Sequence, residues 1–328
     1  MLKIIPTGGP VRLALAGAVL MTGYAQAAEL TPLEINRDQL VEMAVLAEVA
    51  PPILRDPPYR ISPDGNVYAL PATGSITYNY RTGDSAVDMA GDHIEPAVSV
   101  VNLGAENKRD SGENIALNNL ASIGNRVRVL NGEAMGMEGT VIGKHGGIEH
   151  VMVDFPDVVY DHLAIGDKIQ IRTVGLGMKA LNAGDIKLTN MDPRLLDAMT
   201  DRGMGIDEDG RLVVPVTHRI PAKIMGSGLG ARHVHSGDYD IQMFDSSIVE
   251  EYRLDALRFG DIVAITDADH AYGRIYRRGA ISIGIVVHGI SKVAGHGPGV
   301  ATLITSPSGN IELVVDPDMN LGRLLEVR

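Results

Sequence analysis

The segment N-R-V-R-V-L-N-G-E-A-M-G-M-E-G-T-V-I-G-K-H-G-G-I-E-H-V-M-V-D-F runs from Asn125 to Phe155. Within it, runs rich in valine and isoleucine at 127–130, 139–142 and 150–155 are separated by glycine and asparagine. β-Branched residues between turn-forming residues are typical of strands joined by short connections. This segment therefore predicts a compact, barrel-like meander of β-strands.

A related pattern occurs on both sides of the middle of the chain. Gly166-Asp167 precedes an alternating run at 168–172, and Gly260-Asp261 precedes a predicted strand at 262–267 that begins with four apolar residues. This repetition indicates either two related β-rich halves or the same favourable turn used twice. No regular alternation of strand and helix occurs, so we expect an α+β, mostly β protein. A composition shift near residue 175 predicts β-rich domains at 28–175 and 176–328.

A few short helices are also expected. Residues 36–50, N-R-D-Q-L-V-E-M-A-V-L-A-E-V-A, carry apolar side chains at helical spacing and are followed by two prolines. Residues 192–202 offer Asp192 as N-cap and Pro193 in the first turn. Residues 246–252 form a third candidate. The apolar strand 281–287 belongs either at the centre of a sheet or at an interface in a homo-oligomer.

Composition restricts the chemistry that the chain can perform. Hydrophobic residues make up 45% of the 328 residues, which is enough for a substantial core. The net charge is −12 and no basic stripe is interleaved with aromatic residues, which argues against nucleic acid as a partner. Cysteine is absent, so thiolate catalysis, disulfides and cysteine-bound metals are excluded. Any metal site must use histidine, carboxylates, carbonyls or water.

The first 27 residues have the features of an export signal. Positive charge at Lys3 and Arg12 precedes a short apolar stretch, and Ala25-Gln26-Ala27 has small residues where a signal peptidase cleaves. The apolar stretch is shorter than the roughly 20 residues that cross a bilayer. We therefore expect a mature protein without a membrane segment, in the periplasm or secreted. The alternative is a later translation start and a cytoplasmic protein.

Four glycine-rich segments combine glycine with ionisable residues. The longest is M-G-S-G-L-G-A-R-H-V-H-S-G-D-Y-D at 225–240, and the others lie at 91–96, 143–147 and 295–299. Glycine costs backbone entropy, so such clusters mark unusual backbone conformations or close approach to a ligand. We expect the four segments to meet at one polar pocket. The predicted contacts to a small-molecule substrate are Gly226, Ser227, Gly228 and Asp238.

Several ionisable residues in or near these segments are candidates for metal binding and catalysis. Histidine and carboxylates bind divalent ions, and paired carboxylates divide into acid and base roles. The candidate metal ligands are His93, Glu95, Asp240, His288 and His296. The candidate catalytic residues are Asp92 and Asp267, as base or orienting group, and His145, as an oxyanion-stabilising group.

The motifs taken together resemble a known family. L-P-A-T-G-S-I-T-Y-N, G-D-H-I-E-P-A-V-S, G-K-H-G-G-I-E-H-V, M-G-S-G-L-G-A, S-G-D-Y-D-I, F-G-D-I-V-A-I and A-G-H-G-P-G-V are similar to motifs of the prokaryotic family named domain of unknown function 4438. The resemblance covers residues 36–328 and implies two β-rich parts, at least one of them similar to a cyclophilin-type barrel. The loops also resemble, more faintly, those of acetamidase/formamidase enzymes, which are metal-assisted amide hydrolases.

These features lead to a first functional hypothesis and two alternatives. The first is a metal-dependent hydrolase of a small amide or related C–N bond, using Zn²⁺, Mn²⁺ or Fe²⁺. The alternatives are a non-catalytic protein that binds a small metabolite and an isomerase or racemase. A binder would be stabilised by its ligand without turnover, whereas an isomerase needs the same paired ionisable groups as a hydrolase.

Overall fold

The fold is dominated by β-strands, as the sequence predicted. A computed structural model describes residues 30–54 and 58–327, so the predicted export signal at residues 1–27 lies outside the described residues. Strands account for 35% and helices for 14% of the structure, which confirms the mostly β class with short helices.

The first part of the chain builds a closed β-barrel. Its strands, within the described residues, are β1 (Met43–Val49), β2 (Arg60–Ile61), β3 (Val67–Tyr68), β4 (Ile76–Thr77), β5 (Ala97–Val101), β6 (Arg126–Val129), β7 (Glu138–His145), β8 (His150–Asp154) and β9 (Lys168–Thr173). Six antiparallel strands in the order β1-β9-β6-β7-β8-β5 form the barrel, which closes where β5 pairs with β1. Strand β4 extends from β5, and β2 pairs with β3. The predicted meander therefore forms one side of this barrel.

The helix predicted for residues 36–50 is wrong. A single 3₁₀ turn occupies Arg37–Gln39, and β1 follows it. Strand β1 pairs with β9 at six positions from Met43↔Thr173 to Glu48↔Lys168, and alternate side chains such as Ala47 and Val49 are buried. The barrel needs this strand to close, and pairing on both edges outweighs the weak local helix preference.

The second part of the chain contributes a further set of strands. Within the described residues these are β10 (Lys187–Leu188), β11 (Gly205–Ile206), β12 (Leu212–Val216), β13 (His218–Pro221), β14 (Tyr239–Asp240), β15 (Ile262–Asp269), β16 (Ile275–His288), β17 (Gly299–Ser306) and β18 (Ile311–Val315). The larger sheet has the order β10-β17-β16-β15-β13, with β14 paired to β17, and β11-β12-β18 form a smaller sheet. Strand β16 is therefore central, with β15 and β17 on its two sides.

The α-helices are short and lie between the strands. Those in the described residues are α1 (Gly112–Leu120), α2 (Asp157–Tyr160), α3 (Pro193–Asp201), α4 (Ser246–Tyr252) and α5 (Leu321–Leu324). The predicted cap of α3 is confirmed, since the Asp192 carboxylate accepts a hydrogen bond from the Arg194 amide at 2.7 Å. No helix in the described ranges is long and apolar enough to cross a membrane.

The barrel and the larger sheet pack directly against each other. One hydrophobic core contains barrel residues such as Val141 and sheet residues such as Ile283. At the contact, Gly143 of β7 leaves room for the side chain of Val287 on β16, because a Cβ at residue 143 would lie only 2.8 Å from it. The predicted domain boundary near residue 175 falls between the two sets of strands, and the independence of the two parts stays a prediction.

A buried ion pair anchors the loop before β5 to the end of β8. Arg81 donates from Nε to the Asp154 carboxylate at 2.8 Å, and its guanidinium lies 4.1 Å from the centre of the Tyr160 ring. It also donates to the carbonyl of Phe155. Arg81 is 5% exposed and Asp154 is 1% exposed. Arg81 also pairs with the exposed Asp157, whereas Arg81 is the one cationic partner of Asp154 among the described residues.

We predict that Arg81→Met lowers the free energy of unfolding by about 3–5 kcal/mol, because it leaves the Asp154 carboxylate buried without its counter-charge. Urea denaturation of the full chain measures the change. Arg37→Met is the matched control, since Arg37 forms an exposed pair with Asp197, and such pairs contribute about 0–1 kcal/mol. Equal effects of the two substitutions would contradict the assigned role of Arg81.

Candidate metal centre

The four glycine-rich segments meet at one pocket between the barrel and the larger sheet. The pocket has a volume of about 590 Å³, and each segment contributes residues to its wall. His93 comes from the loop before β5 and His145 from the end of β7, while Asp240 and His296 come from β14 and the loop before β17. The topology thus brings together residues that are up to about 200 positions apart.

Two groups of potential metal ligands lie at this pocket, and five of their six residues line it. We call His93, Asp240 and His296 the outer group, and His145, Asp238 and His288 the inner group. Within each group one ligand atom from every residue lies within 4.8 Å of the others. The inner group is buried, whereas His93 and His296 of the outer group are half-buried. Histidine nitrogens and carboxylate oxygens at such distances suit a divalent transition metal.

Three of the histidines are held by one ring nitrogen so that the other faces the group. His93 Nδ1 lies 3.1 Å from Asp92 Oδ1, and His145 Nδ1 lies 2.6 Å from Glu95 Oε1. His288 Nδ1 lies 3.0 Å from the carbonyl oxygen of Gly289. Hydrogen bonds of this kind fix the tautomer and ring orientation of metal-binding histidines.

The rings themselves are closely packed. The centroids of His145 and His288 are 4.1 Å apart, and those of His93 and His288 are 5.2 Å apart. His93 Nε2 lies 3.0 Å from His296 Nδ1. Burial, and then the neighbouring histidines, lower the pKa of His93 despite the opposing effect of Asp92. The neutral imidazole favoured by this environment is the form that binds metals.

The two aspartates connect the groups. Asp238 Oδ2 lies 2.8 Å from His288 Nε2, and Asp238 Oδ1 accepts a hydrogen bond from the Gly146 amide at 2.6 Å. Asp240 Oδ2 lies 2.9 Å from His296 Nδ1, while its Oδ1 lies 3.6 Å from His288 Nε2. Asp240 therefore faces both groups, one through each oxygen.

Charge interactions outweigh desolvation for the inner pair. Burial opposes the charged form of both residues, but each stabilises the other. Their attraction holds the pKa of Asp238 far below its usual value and raises the pKa of His288 well above its usual value. The Asp238 carboxylate is thus kept ionised and His288 is protonated in this pair, so a metal ion that binds His288 Nε2 must displace that proton.

Glu95, predicted as a metal ligand, lies behind His145 instead of facing the outer group. Its carboxylate accepts hydrogen bonds from the Gly74 amide at 2.8 Å and the Ser99 hydroxyl at 2.5 Å. It also contacts Nδ1 of His145 and of His150, the latter at 2.9 Å. Burial raises its pKa, but these partners outweigh that effect and hold the pKa well below its usual value. The charged carboxylate therefore orients two imidazoles.

Asp92, predicted as a base or orienting group, occupies the orienting position beside His93. Its carboxylate accepts from the Tyr68 hydroxyl at 3.2 Å and from the Lys292 amide at 3.1 Å. Burial raises its pKa, but hydrogen bonds from His93 and Ser291 outweigh burial and lower it. His93 has a positive φ of 59°, a conformation that costs roughly 1–2 kcal/mol in a non-glycine residue.

The structure does not bring Asp267 into the site. It lies at an irregularity in β15, has a positive φ of 61°, and accepts a hydrogen bond from the Gly279 amide at 2.7 Å. This carboxylate bridges the bulge in the pairing of β15 with β16, because Gly279 lies within β16. The strand-end position seen in the sequence therefore belongs to a hairpin.

The two glycines predicted to bind substrate, Gly226 and Gly228, pack closely against the backbone of the two aspartates. The Gly226 amide donates to the Asp240 carbonyl at 2.8 Å, and the Asp240 amide donates to the Ser227 carbonyl at 2.9 Å. A Cβ at Gly228 would overlap the carbonyl of Asp238. Ser227 and Gly228 line the pocket together with Asp238. Asp238 itself belongs to the inner group.

Two buried basic residues near the site were not singled out from the sequence. Lys144 donates from Nζ to Asn190 Oδ1 at 2.8 Å and to the His235 carbonyl at 2.7 Å, and burial lowers its pKa to about 7. Arg274 lines the pocket. Lys144 directly precedes the predicted His145, but Arg274 carries no local sequence signal that distinguishes it from a surface arginine.

Comparison with known proteins gives the family of the chain. The family models described as Domain of unknown function (DUF4438), N-terminal and C-terminal, match residues 59–197 and 202–325. A solved structure described as "Crystal structure of TM1086" is similar over 89% of this chain and 99% of that chain, with 42% sequence identity and a TM-score of 0.82. No curated protein matches the chain. The two family models together cover most of the sequence, and the chain therefore belongs to the DUF4438 family.

Proposed function

We propose that the protein is a metal-dependent hydrolase of a small amide or related C–N bond, with the outer and inner groups as its metal ligands. The main support is the orientation of His93, His145 and His288. Each has one ring nitrogen fixed by a carboxylate or carbonyl and the other directed at a group of ligand atoms. Surface or purely structural histidines do not require this arrangement three times in one pocket.

The ligand set favours a borderline transition metal. It contains imidazole nitrogens and carboxylate oxygens and no sulfur, which suits Zn²⁺, Mn²⁺ or Fe²⁺. Asp240 faces both groups through its two oxygens, so the site has ligands for a second ion bridged to the first. When bound, such an ion lowers the pKa of a coordinated water to about 7 and polarises a carbonyl.

The proposed reaction is the hydrolysis of a carbonyl–nitrogen bond. A water oxygen bonds to the carbonyl carbon, the C–N bond breaks, and a proton passes to the departing nitrogen. The products are a carboxylic acid and an amine or ammonia, and no oxidant or reductant is needed. Hydrogen bonds to Asp92, Glu95 and the Gly289 carbonyl hold His93, His145 and His288 in place for this step, which limits the reorganisation required.

A non-catalytic binder of a small metabolite is the second candidate. The pocket volume of about 590 Å³ lies within the range of small-molecule sites. A binder would accumulate no product, and its stabilisation by ligand would not require the metal ligands. Metal content and turnover therefore separate the two candidates.

We predict that the purified full chain binds one or two equivalents of Zn²⁺, Mn²⁺ or Fe²⁺, and that Asp240→Asn loses most of this metal because Asp240 faces both groups. Elemental mass spectrometry measures the content. Asp267→Asn is the matched control, since Asp267 lies in the β15–β16 hairpin. Wild-type protein that holds no metal after incubation with these ions would remove the hydrolase proposal.

We predict that Asp92→Asn lowers metal affinity by about 10–100-fold without unfolding the protein, because the carboxylate only orients His93. Competition with a chelator of known affinity measures the effect. Asp88→Asn is the control, because Asp88 is exposed on the same loop. Unchanged affinity in Asp92→Asn would contradict an orienting role.

We predict that the metal-loaded protein releases ammonia from small primary amides such as formamide and acetamide. Removal of the metal with a chelator should abolish release, and adding the metal back should restore it. A coupled ammonia assay follows the reaction. Full metal occupancy with saturable amide binding and no turnover would favour the binding protein instead.

A further inference from the structure

Arg274 lines the pocket, and backbone hydrogen bonds hold it against the glycine-rich loop. Its amide donates to the Ala231 carbonyl at 3.0 Å, and its carbonyl accepts from the Gly230 amide at 2.9 Å. The preceding Gly273 has a φ of 124°, and a Cβ there would overlap the Ala231 carbonyl. The close approach fixes Arg274 against the glycine-rich loop, and only 2% of the residue is exposed.

Two of the three guanidinium nitrogens of Arg274 lack a hydrogen-bond acceptor in the described part of the chain. Within the described residues, its Nε and Nη2 are buried and have no hydrogen-bond partner. A guanidinium carries five N–H donors in a planar fork, and buried donors of this kind are almost always satisfied. A buried donor left unpaired is destabilising, and more so when it is charged. An acceptor on a bound molecule would satisfy these two donors.

The charges around Arg274 point to an anion. Burial lowers the pKa of the guanidinium, although Asp238 and Asp240 act in the opposite direction, and arginine remains protonated in proteins. Neither aspartate hydrogen-bonds to it, because their oxygens contact His288, Gly146, His296 and the Gly297 amide. A divalent cation on the two aspartates would cancel their charge. The charge of Arg274 would then remain uncompensated in a buried site.

The other two arginines that line the pocket are either paired with a carboxylate or exposed to solvent. Arg60 lies 3.8 Å from the Asp92 carboxylate, so its charge has a partner. Arg232 is exposed to solvent at the rim. Arg274 alone, among the pocket arginines, combines burial with unpaired donors.

We propose that Arg274 binds an oxyanion, a carboxylate or phosphate group, carried by the small molecule that occupies this pocket. The planar fork matches two oxygens of such a group, which adds orientation as well as affinity. If the proposed function holds, the substrate is an amide that also carries an anionic group. Arg274 would bind that group and place the amide carbonyl at the metal ligands.

Isothermal titration calorimetry on the full chain tests this site. The probes are acetate and inorganic phosphate at constant ionic strength, titrated into protein loaded with Zn²⁺ and desalted, and into metal-free protein. The variants are Arg274→Met, which removes the donors, and Arg274→Lys, which keeps the charge but not the fork. Arg278→Met is the control, because Arg278 is exposed four residues further along the same hairpin. Thermal unfolding confirms that each variant is folded.

The expected result is that at least one probe binds the wild type and that Arg274→Met weakens binding at least about tenfold. Arg274→Lys should give an intermediate loss and Arg278→Met none, and the preferred probe identifies the anionic group. Equal binding by Arg274→Met and wild type, or no binding of either probe to any wild-type form, overturns the proposal. Arginine-dependent binding by a protein that takes up no metal would leave this site standing and remove the hydrolase function.

Discussion

The ion pair between Asp238 and His288 sets the geometry at the junction of the two sheets. His288 ends the central strand β16 and is fully buried, and its Nε2 lies 2.8 Å from Asp238. Removing two charges from water is costly unless each finds further partners, and the Gly146 amide supplies one to Asp238. Gly299 allows the pair to form, because a Cβ there would overlap both His288 Nε2 and Asp238 Oδ2. The end of β7, the glycine-rich loop and β17 are thereby held in one arrangement.

Around this pair, the same contact between a carboxylate and an imidazole occurs several times in the pocket. Four buried carboxylates each contact a histidine, in the pairs Glu95 with His145, Asp92 with His93, Asp238 with His288, and Asp240 with His296. Glu95 lies behind its ring, whereas Asp92, Asp238 and Asp240 line the pocket. The result is a surface that offers ring nitrogens and carboxylate oxygens together. Arg274 lines the same pocket, and its buried Nε and Nη2 have no acceptor among the described residues. In the two proposals, the histidines and aspartates bind a metal cation, and Arg274 binds the anionic group of the substrate beside it.

The sequence was informative where the structure is determined locally. The strands between Asn125 and Thr173 follow from short-range alternation and turns, and the cap of α3 follows from two adjacent residues. Strand β1 was predicted as a helix because its partners, β9 and β5, lie far away in the sequence. The glycine-rich segments identified the pocket, but spacing alone did not reveal that Glu95 faces His145 and not the pocket. Arg274 was missed because its burial arises from contacts with the 230–231 backbone.

The closure of the barrel also affects the order in which its strands can pair during synthesis. Strand β1 contacts β9 from Met43↔Thr173 to Glu48↔Lys168, a separation of more than 100 residues. On the ribosome the first strand therefore emerges well before β9 exists, and at about 5–20 residues per second its pairing with β9 waits for roughly 6–25 seconds. Ordering such a long intervening chain opposes closure entropically, and folds rich in distant contacts form slowly. The pairing of β1 with β9 thus waits for the longer stretch of chain, and the edge of β1 that faces β9 is exposed until then.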